Sequence, residues 1–154
     1  MAIRTLTNFN DPIFRKKSKP VVDFDEKLWT LLDDMRDTLE KVKGYGCAAV
    51  HVRVLRRVVV IVDDTGVMEL INPVVTYASE ETQEVPEGSI APGASRGNVI
   101  RPKNATVEAQ DRNGKPITIS GSDFLAATLC HEIDHLDGIM FSDKFTKISS
   151  GHRE

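Results

Sequence analysis

The sequence predicts an α+β domain. Three observations carry that reading: a helical spacing of apolar residues before position 44, strand-like runs separated by turn residues between 57 and 120, and a second helical pattern near the C-terminus. A chain of 154 residues is the size of one domain, 1–154, and buries a hydrophobic core without a disulfide framework.

In chain order, an irregular opening with Pro12 and Pro20 comes first. Leu28, Leu31, Leu32, Met35, Leu39 and Val42 then recur at helical spacing as far as Gly44, which predicts an amphipathic surface helix with its charges facing water. GYGCAAVHV, residues 44–52, is a glycine-bearing connection. RVVVIV and VMELINPVV read as two strands joined across DDTG, and residues 104–120 as a hairpin turning at Asn113-Gly114. Ser79 to Lys103 holds Pro86, Gly88, Pro92, Gly93, Gly97 and Pro102, a composition that predicts loop with brief extended pieces. A loop that long inside a compact domain marks function. The second helix is expected to start at Ser122 or Asp123, both capping residue types, to stop at Gly138, and to pack on antiparallel strands.

Charge and cysteine content exclude several classes. With 20 Lys+Arg against 23 Asp+Glu, a net charge of -3 and a pI near 5.8, nothing draws the chain as a whole to nucleic acid or an anionic membrane. Cys47 and Cys130 are too few for a disulfide framework and suit a reducing compartment. MAIRTLTNF has no apolar stretch of signal-peptide length, and VVVIV at 58–62 is too short to span a bilayer, so the expected location is the cytoplasm.

HEIDH, residues 131–135, names the chemistry. His131 and His135 are four apart, a spacing that presents two imidazoles to a metal from one helix face, with Glu132 beside the first. On a helical wheel Leu125, Leu129, Ile133 and Leu136 form one stripe, and the histidines lie almost opposite, beside Phe124, Ala127 and Thr128. The competing reading is a charged stretch on an exposed face. A catalytic site of the zinc type also needs a third protein ligand and an open position for water. Downstream, Phe141 stands where a longer histidine pattern has its third ligand, and only His152 and Glu154 remain in the tail. The third ligand is therefore expected upstream.

Upstream lie EVPEGSIAPG and GYGCAAVH. With HEIDH they resemble, in order and spacing, the three motifs of the peptide deformylases, GxGLAAPQ, EGCLS and HExDH. DPIFR near the start, INP after the strands and HEIDHLDGIMF extend the resemblance over nearly the whole chain. It implies the deformylase α+β fold, with antiparallel or mixed sheets around a central C-terminal helix carrying HEIDH. It also implies one divalent metal ion, Fe2+ or Zn2+, and a formylated methionine-type peptide or related small amide as substrate. In that family the Cys of EGCLS and both His of HExDH hold the metal, the motif Glu is the general acid and base, and the Gln of the first motif and the N–H after the Cys stabilise the oxyanion.

Carried over, His131 and His135 are ligands, Ser89 stands in the ligand position of the Cys, and Glu132 is the proton-transfer group. His51 stands where the family has Gln, and Ile90 supplies the backbone N–H. Tyr45 and Gly46 match the stretch that pairs with substrate as an added strand, and Arg96 and Arg101 match arginines near the substrate-binding side. Further departures are Cys47 for Leu, Val50 for Pro, Arg53 for Gly and Ala91 for Ser.

A hydroxyl in place of a thiolate weakens metal affinity while leaving the ion's charge less compensated. His51 permits three readings: an N–H donor to the oxyanion, a third metal ligand, or a spectator bonded to a backbone carbonyl. Cys47 reads as core filler and Cys130 as packing, whereas Asp134 and Asp137 read as partners for the histidines' other nitrogens or as helix-end residues. Arg53 reads as narrowing or recharging the entrance. The function expected is that of a divergent deformylase-like metallohydrolase, weakened by the Ser89 and His51 changes. The alternative is an inactive paralogue serving as a peptide-binding or regulatory module.

Overall fold

In the computed structural model residues 2–148 are described, so His152 and Glu154 lie outside the described residues. The first helix, α1 (Glu26–Val42), starts where the Asp25 side chain accepts the N–H of Leu28, and ends at Lys43, in the left-handed conformation at φ 56. Its apolar stripe, Leu28, Leu31, Leu32, Met35 and Leu39, is buried as the spacing predicts. One acid joins them inside: Asp34 accepts bonds from Arg4 Nε at 2.9 Å and the Ala2 N–H at 2.8 Å, which pins the N-terminal segment to the helix.

Among the described residues eight strands and a second helix follow: β1 (Gly46–Ala48), β2 (Val58–Asp63), β3 (Gly66–Ala78), β4 (Thr82–Glu87), β5 (Gly97–Pro102), β6 (Asn104–Gln110), β7 (Pro116–Ser122), α2 (Asp123–Leu136) and β8 (Phe145–Ile148). One sheet has the order β1-β2-β3-β6-β7 and the other β4-β5-β8, with every strand ladder antiparallel. The two strands flanking DDTG and the hairpin around Asn113-Gly114 form as predicted.

The aliphatic run of β2 is continuous because both of its faces are covered. Val58 and Val60 pack with α1, Cys47 and Ile71. Val59 and Ile61 pack with Leu70, Val107 and the α2 stripe of Leu129, Ile133 and Leu136. Alternation marks a strand wetted on one side, and a strand between two helices loses that signal. Helix α2 also contacts β4 and β5 of the smaller sheet, so it lies between the two sheets. Among the described residues no helix is long and apolar enough to cross a membrane.

Two expectations change. Ser79 to Lys103 is mostly strand: β4 and β5 pair from Thr82↔Pro102 to Glu87↔Gly97, leaving a short loop at 88–96. Pro86 is tolerated because β4 is an edge strand, so its missing N–H breaks no ladder. Helix α2 does start at Asp123 with Ser122 in the N-cap position, but the Ser122 side chain bonds no helix N–H and its hydroxyl donates to Asn104 Oδ1 at 2.7 Å. The stop at Gly138 does hold. Its φ is 76, its N–H bonds the His135 carbonyl, and an added Cβ would lie 2.6 Å from the Arg15 carbonyl oxygen.

Candidate metal centre and its cleft

The buried position of α2 carries the HEIDH side chains inside, with His131, Glu132 and His135 at 6%, 5% and 0% exposure, so the exposed-face reading does not hold. Opposite them, the turn Ala49–Val52 that follows β1 supplies His51, 1% exposed. Phe14 packs against both His51 and His135, with ring centroids 5.4 and 5.5 Å away, and the two imidazole rings stand edge-on at 4.8 Å. One nitrogen of His51, one of His135 and a carboxylate oxygen of Glu132 lie within 4.8 Å of one another. His131 flanks this triangle, its ring 5.0 Å from that of His135 and its Nε2 3.9 Å from Glu132 Oε2.

His131 is oriented by a residue that the sequence reading does not single out. Its Nδ1 lies 2.8 Å from Oε1 of Glu87, the last residue of β4. Burial works to raise the Glu87 carboxyl, but hydrogen bonds from Arg101 and His131 overcome it and hold the group at about 2. An ionised carboxylate only accepts, so the proton sits on Nδ1 and the Nε2 lone pair of His131 is left toward the centre. The signal in the sequence was the first letter of EGSIA.

Arg101 is 1% exposed and donates from Nε and NH2 to Glu87 and from NH1 to Asp134, each at 2.8 Å. It is interior framework rather than a substrate contact. Asp134 therefore serves Arg101, and Asp137 pairs with Arg57 at 2.9 Å at the helix end, so neither partners a histidine.

Burial shapes the charges of the site. It pushes the Glu132 carboxyl up to about 7, holds the His51 imidazole down to about 3, and lowers His135 well below the usual histidine value. Both nitrogens of His135 and Oε1 of Glu132 are buried with no hydrogen-bond partner among the described residues. Leaving such atoms unpaired costs about 1–3 kcal/mol each. The unpaired His135 nitrogens and Glu132 oxygen, with His51 beside them and the Nε2 of His131 turned toward them, fit a divalent metal ion.

A cleft of about 460 Å³ opens over this centre. Tyr45, Gly46, Ser89, Ile90 and Arg96 line it, with His131 and Glu132 contributed from α2. The Tyr45 ring meets Phe124 edge-on at 5.1 Å. Gly46 is required by close approach, because a Cβ there would lie 2.7 Å from Glu132 Oε2. The Ser89 hydroxyl accepts the Ala91 N–H at 3.0 Å and lies 3.4 Å from His51 Nε2. Arg53 does not line the cleft; it pairs with Asp11, and its left-handed φ of 65 is the backbone conformation that glycine adopts without strain. Cys47 is fully buried in the α1-side core and Cys130 packs under β6, consistent with packing roles for both.

An HExxH helix facing a loop histidine beneath an open cleft is the architecture of a metal-dependent hydrolase. The family model for polypeptide deformylase matches residues 3–150, and the chain belongs to that family, whose members bind a divalent metal and act on formylated peptides. A peptide deformylase of Acetivibrio thermocellus is 48% identical over 144 residues, covering 94% of this chain and 84% of the relative. Peptide deformylase 2 of Clostridium acetobutylicum is 45% identical over 148 residues, covering 96% and 98%. Among solved structures, a Legionella pneumophila peptide deformylase superposes with a TM-score of 0.88 at 37% identity, covering 94% of this chain and 86% of that one. A Synechococcus elongatus peptide deformylase in complex with actinonin reaches 0.88 at 28% identity, covering 92% and 78%.

Proposed function

We propose that this chain is a metal-dependent amidohydrolase that removes the formyl group from N-formylmethionine-type peptides or a related small amide. The observation that carries the reading is Glu132, buried at the cleft floor with Oε1 unpartnered beside the unpartnered nitrogens of His135. His131 and His135 hold the metal from α2, and Glu87 keeps the proton of His131 on Nδ1. A bound Fe2+ or Zn2+ ion supplies Lewis acidity and lowers the pKa of water. Glu132, buried at the cleft floor beside the histidines, takes a proton from water and returns it to the leaving amine. The Ile90 N–H, which donates to no described acceptor, stabilises the oxyanion.

The cleft also offers a place for the peptide. Strand β1 has a partner on one side only. Ala48 turns its N–H away from β2 to His51 Nδ1, and strand alternation puts the backbone groups of Gly46 on that same open side. An extended peptide adds there as a strand, with Tyr45 on the apolar rim and the exposed Arg96 guanidinium toward its carbonyl or carboxylate groups. Two buried free thiols suit work in the cytoplasm.

The test is release of formate from formyl-Met-Ala-Ser by the metal-loaded protein and by His135→Ala. Turnover in the parent and its loss in the variant support the reading. The second reading, a peptide-binding module without turnover, has in its favour that Ser89 brings no thiolate to the site. Stoichiometric metal and peptide binding by calorimetry, without formate release, would establish it instead.

A further inference from the structure

Helix α2 brings two imidazoles and the Glu132 carboxylate to the centre; with Glu132 kept for proton transfer, the third protein donor comes from the segments facing the helix. Two side chains face it: the Ser89 hydroxyl, and His51. The Ser89 oxygen is already engaged by the Ala91 N–H at 3.0 Å, and a neutral hydroxyl is not among the usual donors to zinc-type ions. His51 is held as a ligand should be. Its ring is wedged between Phe14 and His135, and its Nδ1 lies 3.0 Å from the Ala48 N and 3.2 Å from the Ala48 carbonyl oxygen. The first contact uses Nδ1 as acceptor and the second uses it as donor; an ion on Nε2 would select the second tautomer, in which the Ala48 carbonyl accepts the Nδ1 proton and the Ala48 N–H gives up its bond to the ring. Metal-binding histidines use this arrangement, and His131 already has its counterpart in Glu87.

Distance supports the same assignment. Donors at about 2.1 Å from one tetrahedral ion lie roughly 3.4 Å apart. One nitrogen of His51 and one of His135 lie within 4.8 Å of each other. An ion bound there would have to draw the pair in from at most 4.8 Å.

We propose that His51 is the third protein ligand of the metal centre, completing a three-imidazole site with His131 and His135, while Ser89 lies beside the ion and not on it. The assignment rests on the proposed metal site and specifies its donor set. Three neutral nitrogens leave the full dipositive charge of the cation in place and suit a borderline ion of the zinc or cobalt(II) type. With no thiolate on the ion, the site carries no ligand that peroxide oxidises. Stabilisation of the oxyanion then falls to the Ile90 N–H, because a ligating His51 has no N–H to turn toward substrate.

X-ray absorption on the zinc-loaded, unmutated protein counts imidazole rings directly, and three rings with no sulfur are expected. Zinc affinity, measured by competition with a chelating dye and without substrate, should fall at least tenfold in His51→Ala and stay within twofold in Ser89→Ala. Added free imidazole should restore the His51→Ala affinity, which separates a lost ligand from a misfolded chain. Two rings in the absorption spectrum would overturn the assignment. So would parental affinity in His51→Ala, or a large loss in Ser89→Ala. Because none of these readouts uses a peptide, an intact three-imidazole site without formate release would sink the deformylase reading alone. Formate release with metal binding indifferent to His51 would sink the ligand assignment alone.

Discussion

Glu132 and Gly46 depend on each other, since the carboxylate proposed to move the proton occupies the space a side chain on β1 would take. Glu132→Ala should lower turnover on the order of 100-fold or more while metal content stays at the parent level, checked by formate release beside elemental analysis. Gly46→Ala places a methyl 2.7 Å from Glu132 Oε2, and one of the two must move. Misplacing a catalytic group by about 1 Å costs on the order of 100-fold, so a large fall in kcat is expected with little change in melting temperature. A melting temperature that falls with activity intact would mean that the strand yields instead of the carboxylate. That His131 and His135 share one helix face with Glu132 beside them was legible because four-residue spacing on a helix is a local pattern. Glu87 was not legible as the partner of His131, because nothing in a strand-end glutamate reports which helix will pack on it.

At the scale of elements, the ends of α2 illustrate what local rules capture. Its stop follows from Gly138, whose φ of 76 and approach to the Arg15 carbonyl leave no room for a side chain. Gly138→Ala should destabilise the protein by about 1–3 kcal/mol, read from denaturant midpoints at constant slope, and an unchanged midpoint would refute the account. Its start is held from outside the helix, by the Asp123 N–H on the Lys103 carbonyl and by Ser122 on Asn104. Strands β4 and β5 were hidden for a related reason. Pro86, Gly97 and Pro102 weaken strand propensity locally, and the pairing that overrides them comes from the ladder and from the Arg101–Glu87 ion pair crossing it.

For the whole molecule, that ion pair links pH to stability. The Glu87 carboxyl, ordinarily near 4.5, is held at about 2 in the folded protein, so its contribution is complete above 4.5 and is lost as pH falls from there toward 2. The parent should lose melting temperature faster than Glu87→Gln between pH 5 and pH 3; parallel curves would show that the pair does not govern acid stability. Metal removal acts on the same scale. A ligand that binds only the folded state at 100 times its Kd adds about 2.7 kcal/mol, so chelation should lower the melting temperature of the loaded parent and leave His135→Ala unmoved. The sequence by itself determined both helices and the pair of histidines on one helix face, written in a period of about 3.6 residues, and the aliphatic strand and hairpins, written in apolar runs bounded by turn residues. Only the tertiary structure decided that His51 meets His135, that Glu87 and Arg101 are buried beneath α2, and that Arg53 stays out of the cleft. These contacts join segments far apart in the chain, and their geometry arises when two sheets close on one helix, which no local period records.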